Sequence, residues 1–235
     1  MSEESGTQHQ GIFIENGSGG FMSDLTFYGG LNGAAFGNQQ FTMRNLTFYN
    51  SVTAITQIWD WGWTYKSISI NNCSVGLNMS AGGPASQTVG SITFLDSIIT
   101  DTPIGFVTAY DSTSSPATGG SLILDNVALS NVPIAVQGPG KTTVLAGGSL
   151  TISGFGEGHE YTPNGPTSFE GSITPFTRPG ALLAGSNIYE RSKPSYAGIA
   201  VGQVSSTRSA GAKGDGSTDD TAGISQTVIR QSPKS

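Results

Sequence analysis

The sequence predicts an all-β fold, a parallel β-solenoid in which short strands stack on copies of themselves. The first observation is a repeated unit: residues 24–27 (DLTF) are matched by residues 45–48 (NLTF), 21 positions later, and by residues 67–70 (SISI), a further 22 positions on. Each unit alternates apolar and polar residues, which is the period of a strand. The 34 glycines and the 11% of charged residues favour many turns over helices. Because one short strand cannot bury its apolar side alone, we expect repeated strands of this kind to stack.

Charge and hydropathy argue against two classes of partner. The formal net charge is −6 and the pI about 4.7; no basic patch is present, which argues against nucleic acid. No apolar run approaches the roughly 18 residues that a membrane-spanning helix needs, so no membrane partner is expected. The first ten residues are polar and do not form a signal peptide. Cys73 is the only cysteine, which excludes an intrachain disulfide.

Strands of the solenoid are predicted over residues 1–153. Residues 11–16 (GIFIEN) indicate a strand already in progress; because only ten residues precede it and none forms a cap, we expect the chain to begin inside a longer architecture. Residues 90–98 and 120–127 form a second matching pair, 30 positions apart, and residues 148–152 are the last such run. The extra length lies in Gly-, Ser- and Pro-rich insertions, which are expected at the corners of the stack.

The repeating pattern stops after residue 153. Residues 154–209, rich in Gly, Pro, Thr and aromatic residues in their first half, predict an irregular extension followed by a linker. In residues 210–235, Asp219 or Asp220 can cap a short helix. The acidic residues there, including Asp215, lack the spacing and the terminal glutamate of an EF-hand loop. Turn and cap roles are therefore favoured over a cation site, and we predict no metal or other cofactor.

All three tryptophans lie in one run, WDWGW. On a strand Trp59, Trp61 and Trp63 point the same way, while Asp60 and Gly62 face the other side. A row of indoles suits the C–H faces of sugar rings, and Asp60 could hydrogen-bond sugar hydroxyls. The alternative is that the rings pack in the interior or against a neighbouring domain. Packing is favoured for Trp63, and both interpretations stay open for Trp59 and Trp61.

Glutamines recur at two places, Gln8 and Gln10 in one and Gln39 and Gln40 in the other. The two places are about one and a half repeats apart, and a parallel stack brings such corner positions close in space. Amides donate and accept hydrogen bonds together, which suits sugar hydroxyls and the positioning of a water molecule. The alternative, which residue chemistry alone favours, is an Asn/Gln ladder that satisfies the backbone at turns.

Acidic residues provide no clear catalytic pair, although a glycosidase needs two carboxyls roughly 5–9.5 Å apart. Asp96 and Asp125 fall at equivalent places in the second matching pair and could stack, but turn and strand-edge roles are favoured. Glu157 and Glu160 flank His159 in a segment without a recognised metal signature. No Ser-His-Asp, P-loop or zinc pattern is present, so we assign no catalytic residue.

A set of motifs carries a resemblance to a known family. Residues 210–221 (AGAKGDGSTDDT) resemble the opening motif of the pectate-lyase-like right-handed β-helix superfamily. Together with GTQHQG, GNQQF, WDWGW and YERSKPSY in this order, they make the chain similar to the fungal exo-β-1,3-glucanases built from two tandem β-helices. The resemblance extends from about Gly6 to Ile224 and covers the later repeats of the first helix and the linker.

The resemblance implies a fold and an activity. The fold is an incomplete right-handed parallel β-helix over residues 1–153, with residues 210–235 as the start of a second helix. The substrate is β-1,3-glucan, cleaved from its end with inversion, outside the cell. Glutamines of the first helix help to position water and sugar in this family, a role that the motif match assigns to Gln40 and, less directly, to Gln10 and Gln39.

The family's general acid is a glutamate far into the second helix, which these residues do not reach. We therefore expect a truncated family member that is inactive alone and lacks its second-helix partner domain. The expected wall of the sugar cleft consists of Gln10, Gln39, Gln40, Trp59, Asp60 and Trp61. The alternative is a glucan-binding or structural solenoid without catalysis. A polysaccharide lyase or polygalacturonase is disfavoured, because the clustered Asp set with a catalytic Arg or Lys is missing.

Overall fold

The computed structural model describes residues 6–114, 118–194, 196 and 198–231 and builds them mostly from strands. The strands are β1 (Gln10–Glu15), β2 (Gly19–Tyr28), β3 (Asn32–Tyr49), β4 (Thr53–Lys66), β5 (Ser69–Asn71), β6 (Val75–Asn78), β7 (Ser91–Thr100), β8 (Ile104–Val107), β9 (Ser121–Gln137), β10 (Thr143–Thr162), β11 (Gly165–Ser172), β12 (Leu183–Ala184) and β13 (Asn187–Ile188). The helices are α1 (Thr221–Gln231) and short 3-10 turns at Pro84–Ser86, Pro139–Lys141, Gly180–Leu182, Val201–Gln203 and Thr207–Ala210. The prediction of an all-β fold is confirmed.

The strands up to β9 pair in parallel with their own sequence copies. Leu25 lies opposite Leu46, and Phe27 lies opposite Phe48, which in turn faces Ile70. This register confirms the predicted alignment of the three repeated units. β7 and β9 pair in the same way, with a separation of 30 residues along the chain, as the second matching pair predicts.

Polar residues in the left-handed conformation recur in two columns, either inside a strand or directly after one. One column comprises Asp24, Asn45, Ser67, Asp96 and Asn126, and another comprises Asn50, Asn72, Asp101 and Asn131, all with φ between 49° and 60°. Asn45 Nδ2 donates to Asp24 Oδ1 at 2.7 Å, and Asn131 Nδ2 donates to Asp101 Oδ1 at 2.8 Å. Asn and Asp tolerate this conformation better than other residues with a Cβ. The turn ladders are therefore made of Asn, Asp and one serine, and not of the glutamines.

Inward-facing side chains of the successive strands share one core. The rings of Phe27 and Phe48 stack at 4.8 Å, which is the spacing between neighbouring strands. Phe94 continues this core and meets Phe106 edge to face, with ring centroids 5.0 Å apart. Each strand thus buries its apolar face on the strand before and after it, which is the main stabilising contribution to the stack.

The segment after residue 153 is regular, so the prediction that it begins with an irregular extension is wrong up to residue 172. β10 runs antiparallel to β9, and β11 runs antiparallel to β10 from Phe155↔Ser172 to Thr162↔Gly165. The chain thus changes from parallel stacking to a hairpin. Glycines make close backbone approach possible there, since a Cβ on Gly154 would lie 2.5 Å from the carbonyl oxygen of Ile173.

Arg178 ties the segment after the hairpin back to the stack. Its Nη1 lies 2.5 Å from Asp96 Oδ1, and its Nη2 bonds Asp125 Oδ1. The other carboxylate oxygens accept backbone N–H groups of the same segment, Asp125 Oδ2 from Phe176 at 3.0 Å and Asp96 Oδ2 from Ile188 at 2.9 Å. The two buried carboxylates therefore anchor this segment by charge and by hydrogen bonds.

Asp96 and Asp125 do not occupy equivalent positions, and the predicted equivalence is wrong by one residue. The register pairs Leu95 with Asp125. Asp96 is instead joined to Asn126, whose Nδ2 donates to Asp96 Oδ1 at 2.7 Å. The expected turn role does hold for Asp96, which has a φ of 50°.

By internal contacts the chain divides into two units, residues 1–192 and 193–235. The domain boundaries at 153/154 and 209/210 stay predictions. The helix expected in the second unit is confirmed as α1. Asp219 Oδ1 accepts the backbone N–H of Thr221 at 3.0 Å, as a cap does. None of the described helices is long and apolar enough to cross a membrane.

The other acidic residues of the second unit also have local partners. Asp215 Oδ1 accepts the backbone N–H groups of Ser217 and Thr218 at 3.0 and 2.7 Å. Asp220 accepts those of Lys213 and Gly214 at 2.7 and 2.8 Å. These bonds are the turn roles that the sequence favours over a cation site.

Candidate functional site

Five of the six predicted site residues gather at one corner of the stack, where β3 and β4 lie side by side. Gln40 lies opposite Gly62 in the register of these strands, which places Gln39 beside Trp61. Neighbouring strands are about 4.8 Å apart, so the amides and the indole can contact one ligand. Gln40 and Trp61 are exposed, and Gln39 is half-buried. We call this group, with Trp59 and Asp60, the indole–amide corner.

A bulge in β4 positions Trp59 at the corner. Phe36 lies opposite Gln57, but Gly37 lies opposite Trp59, so β4 carries one extra residue here. The half-buried indole lies over Gly37, where a Cβ would come within 2.7 Å of Trp59 Cδ1. Any side chain at position 37 would push the indole away, so this position requires glycine.

The three tryptophans do not share a face, so that prediction is wrong. Trp61 is 65% exposed, whereas Trp63 is 1% exposed and Asp60 is 3% exposed. Asp60 and Trp63 both point inward although three positions separate them, so the alternation of the strand changes phase between them, at Gly62. Only Trp61 presents most of its ring to solvent.

Trp63 belongs to the core, as the packing interpretation predicts. Its ring stacks on Phe41, with centroids 5.0 Å apart, and tilts against Phe36 at 5.3 Å. Its Nε1 donates to the carbonyl oxygen of Asn38 at 3.0 Å. A buried indole with its N–H satisfied stabilises the corner from below.

Asp60 lies behind the corner and holds the next turn in place. Its Oδ1 accepts the backbone N–H groups of Gly90 at 3.0 Å and Ser91 at 2.9 Å. Its Oδ2 is buried without a hydrogen-bond partner among the described residues. Burial raises the pKa of Asp60 to about 7, and the two backbone N–H groups offset part of the rise. The structure therefore gives Asp60 a supporting position, in contrast to the surface contact with sugar that the sequence suggests.

Stability is expected to fall as the pH rises from about 4 to 7, because of Asp60. A carboxyl whose folded pKa is raised from 3.8 to about 7 favours the folded state when protonated, and this contribution is lost through that window. The loss is roughly 2–4 kcal/mol, since one pKa unit corresponds to about 1.4 kcal/mol. Urea unfolding of wild type and Asp60→Asn at pH 5 and pH 8 measures it. We expect a smaller difference between the two pH values in the variant; equal differences would contradict the burial of Asp60.

Gln10 does not share the corner. It lies opposite Asn32, at the start of β3 and seven positions before Gln39. The pairing of β1 with β3 thus places Gln10 away from Gln39 and Gln40, and the expected closeness of the two glutamine groups is wrong. Its assignment to sugar binding stays a prediction.

Asn38 is a positioning residue that the sequence reasoning missed. Its buried Oδ1 accepts the backbone N–H of Gly17 at 2.6 Å and that of Gln39 at 3.1 Å. These bonds join the corner to the turn between β1 and β2 and orient the backbone of Gln39. The signal in the sequence is an asparagine directly before two glutamines, since Asn often bonds to nearby backbone.

The corner offers an exposed indole, two amides and a buried carboxyl. Such a surface suits an uncharged ligand with many hydroxyls, because amides donate and accept while an indole covers apolar C–H groups. Within the described parts of the chain, no three His, Cys, Asp or Glu side chains come together in a way that could hold a metal ion.

Comparison with known proteins connects the chain to a family. The family described as "Rhamnogalacturonase A/epimerase, pectate lyase-like" matches residues 1–78. The chain is 46% identical over 233 residues, 98% of its length, to a protein of Cochliobolus carbonum named glucan 1,3-beta-glucosidase. It is 53% identical over 152 residues, 65% of its length, to a probable glucan endo-1,3-beta-glucosidase of Arthroderma benhamiae.

A third relative carries a different name. The chain is 37% identical over 240 residues to a protein of Penicillium expansum named non-secreted LysM effector LysM19, with 97% of the chain covered. The chain spans only a part of each relative: 29% of the Cochliobolus protein, 17% of the Arthroderma protein and 19% of the Penicillium protein.

Proposed function

We propose that this chain, which belongs to the pectate-lyase-like family of fungal glucan 1,3-β-glucosidases, is part of a glycoside hydrolase that acts on β-1,3-glucan. In this proposal the parallel stack is a right-handed β-helix, and residues 210–235 begin a second helix. The protein works outside the cell and releases sugar from the glucan end with inversion. The observation that carries the proposal is the exposed Trp61 beside Gln39 and Gln40.

The indole–amide corner binds glucan by two complementary contacts. The face of Trp61 covers the C–H groups of a glucose ring, and the amides of Gln39 and Gln40 bond its hydroxyls. Trp59 extends the apolar surface, and Asp60 fixes the turn behind it through Gly90 and Ser91. Of the five residues that define the corner, Asp60 is the only ionisable one and none is a cation. This favours a neutral polysaccharide over an acidic one.

We further propose that the corner binds glucan without cleaving it. Indoles and amides do not protonate a leaving group, and the carboxyl of Asp60 is buried with one oxygen engaged by backbone N–H groups. The resemblance to the two-helix glucanases assigns the general acid to the second helix. Hydrolysis then needs both walls of the cleft.

Replacement of Trp61 by alanine is expected to weaken laminarin binding about tenfold, the contribution of one aromatic face. Tyr28→Ala is the matched control, because Tyr28 is also an exposed aromatic residue and stacks on Tyr49 away from the corner. Isothermal titration of the three proteins with laminarin measures the effect. Equal affinities for wild type and Trp61→Ala, or no affinity at all, would contradict the proposed site.

No glucose release from laminarin is expected from the 235-residue chain alone. Reducing-sugar assays over the pH range 4–8 test this. Release of glucose would overturn the proposal that the corner binds glucan without cleaving it. Glu15→Gln would then show whether the source is Glu15, the exposed carboxyl opposite Gly37.

A second candidate function is glucan binding without any catalysis. One relative, to which the chain is similar over 97% of its length, is named a LysM effector and not a glucosidase, which favours this candidate. The two candidates differ in one measurement, laminarin hydrolysis by the protein isolated from its natural source. Activity there, combined with none in the isolated chain, supports the hydrolase.

A further inference from the structure

The turn between β1 and β2 carries an N-glycosylation sequon in an open position. Residues 16–18 read Asn-Gly-Ser, which fits the acceptor pattern Asn-x-Ser/Thr. All three residues of this turn are exposed. Three further sequons begin at Asn45, Asn72 and Asn78. The four asparagines differ in what the fold does with the amide nitrogen, to which a glycan would be attached.

The backbone of the turn is fixed, whereas the side chain of Asn16 is open to a substituent. The N–H of Asn16 donates to the carbonyl oxygen of Gly37 at 3.0 Å, and the N–H of Gly17 donates to Asn38 Oδ1 at 2.6 Å. Position 17 requires glycine, since a Cβ there would lie 2.8 Å from Asn38 Nδ2. The side chain of Asn16, in contrast, has no hydrogen-bond partner among the described residues. A glycan on its Nδ2 therefore displaces no contact of the fold.

Asn45 is the opposite case, because both N–H groups of its amide are in use. Its Nδ2 donates to Asp24 Oδ1 at 2.7 Å and to Ser192 Oγ at 3.0 Å. A glycosylated asparagine keeps a single N–H on this nitrogen, so the sugar would break one of the two bonds. The fold thus excludes a glycan at Asn45.

The amides of the other two sequons also take part in the fold. Asn72 Nδ2 donates to Asn50 Oδ1 at 2.8 Å, within the second column of left-handed residues. Asn78 is half-buried, and its Oδ1 accepts the backbone N–H and the hydroxyl of Ser80 at 3.0 and 2.7 Å. Ser80 is the hydroxyl residue of that sequon, and it is half-buried as well.

The middle residue of each sequon separates the first from the other three. Leu46, Cys73 and Met79 are core side chains that are 0%, 2% and 1% exposed, whereas Gly17 lies on the surface. A sequon whose middle residue is in the core cannot present its asparagine and its hydroxyl together to an enzyme once the chain is folded. Residues 16–18 can.

We propose that Asn16 is an N-glycosylation site, which is modified as the chain passes through the secretory pathway. The co-substrate is an oligosaccharide on a lipid pyrophosphate. Asn16 Nδ2 forms a bond to C1 of the first sugar while the bond from C1 to the phosphate oxygen breaks. The lipid pyrophosphate leaves, and one amide proton passes to a base of the transferase. The inference rests on the proposed location outside the cell, because the transferase acts only on chains that enter this pathway.

The test uses the 235-residue chain, secreted by a yeast behind a cleavable leader peptide. Enzymatic removal of N-glycans in H₂¹⁸O converts each glycosylated asparagine to ¹⁸O-labelled aspartate, and peptide mass spectrometry measures the four positions separately. We expect label at Asn16 in most of the secreted protein and essentially none at Asn45, Asn72 and Asn78. An unlabelled Asn16 would overturn the proposal, and equal labelling at Asn45 would contradict the selection by the fold.

Ser18 supplies a matched pair of variants, because it is exposed and lies outside the indole–amide corner. Ser18→Ala removes the sequon and keeps Asn16, so the label at Asn16 is expected to disappear. Ser18→Thr keeps the sequon and is expected to retain the label. Equal label in Ser18→Ala and wild type would show spontaneous deamidation of the Asn16–Gly17 pair in place of glycosylation, and would contradict the proposal.

The same measurement on the protein from its natural source separates this inference from the glucan function. Label at Asn16 there supports both the site and the passage through the secretory pathway. Label in the yeast protein without label in the natural one would contradict the location outside the cell and glycosylation of the natural protein. Glucan binding is tested by Trp61→Ala and stands or falls independently of this result.

Discussion

Replacement of Arg178 by methionine is expected to lower the free energy of unfolding by about 3–5 kcal/mol. The guanidinium is the cation between Asp96 and Asp125, whose side chains are 0% and 1% exposed. Removal of one partner leaves buried charges uncompensated, which is far more costly than the loss of a surface ion pair. Lys66 Nζ, 3.9 Å from Asp96 Oδ2, compensates only one of them.

Arg191→Met is the matched control, because Arg191 is an exposed arginine near the end of the same unit. Urea unfolding followed by circular dichroism measures both variants. A further variant that combines Arg178→Met with Asp96→Asn and Asp125→Asn is expected to regain part of the stability, since no buried charge is then left unpaired. A loss below about 1 kcal/mol in Arg178→Met, equal to the control, would contradict the anchoring role.

Trp63→Ala is expected to cost about 3–5 kcal/mol of stability, whereas Trp61→Ala stays within about 0.5 kcal/mol. Trp63 is buried against Phe41, and its Nε1 bonds the carbonyl oxygen of Asn38 at 3.0 Å. The variant leaves a large cavity and an unpaired carbonyl. Trp61 is mostly exposed and contributes little to packing.

The difference in stability between Trp63→Ala and Trp61→Ala tests whether the inward–outward alternation of β4 changes phase at Gly62. Chemical unfolding of both proteins under one condition is sufficient, and glucan affinity of Trp61→Ala supplies the second half of the comparison. Similar stabilities for the two variants would mean that the indoles share one environment, as strict alternation along a strand requires.

The repeats predict the parallel stack because their information is redundant. Leu25 and Leu46, and Phe27 and Phe48, each carry the same side chain at the same place in the unit, so one register satisfies them all. A shift by one residue would turn every apolar side chain outward. The sequence therefore predicts the pairing of strands well wherever repeated units exist, as they do from β2 to β9.

The hairpin after residue 153 has no copy, which is why the sequence predicts an irregular segment there. β10 pairs antiparallel with β9, so its partners lie in reverse order and no fixed spacing reveals them. A local signal does exist: Gly154, Gly156 and Gly158 alternate with larger residues at a period of two. Glycine hides the apolar alternation by which strands are usually found.

The sequence predicts which residues form the site, but it does not predict how their side chains are arranged. WDWGW and the glutamines identify the corner, but a period of two holds only along a regular strand. The extra residue of β4 opposite the Phe36–Gly37 step and the phase change at Gly62 separate Trp61 from Trp63. Glu157 is 3% exposed, and its burial depends on the antiparallel pairing of β10 and β11, which residue spacing in the sequence does not reveal.

The central claim is that the indole–amide corner binds β-1,3-glucan, and the indole N–H signals of the protein test it most directly. The chain has three tryptophans, Trp59 and Trp61 at this corner and Trp63 in the core behind it, so a ¹⁵N-resolved spectrum contains three such signals. Titration with laminaritriose is expected to shift the signals of Trp61 and, to a smaller extent, Trp59. The signal of Trp63, buried and bonded to Asn38, is expected to stay in place. Three unchanged indole signals at saturating laminaritriose would contradict the claim.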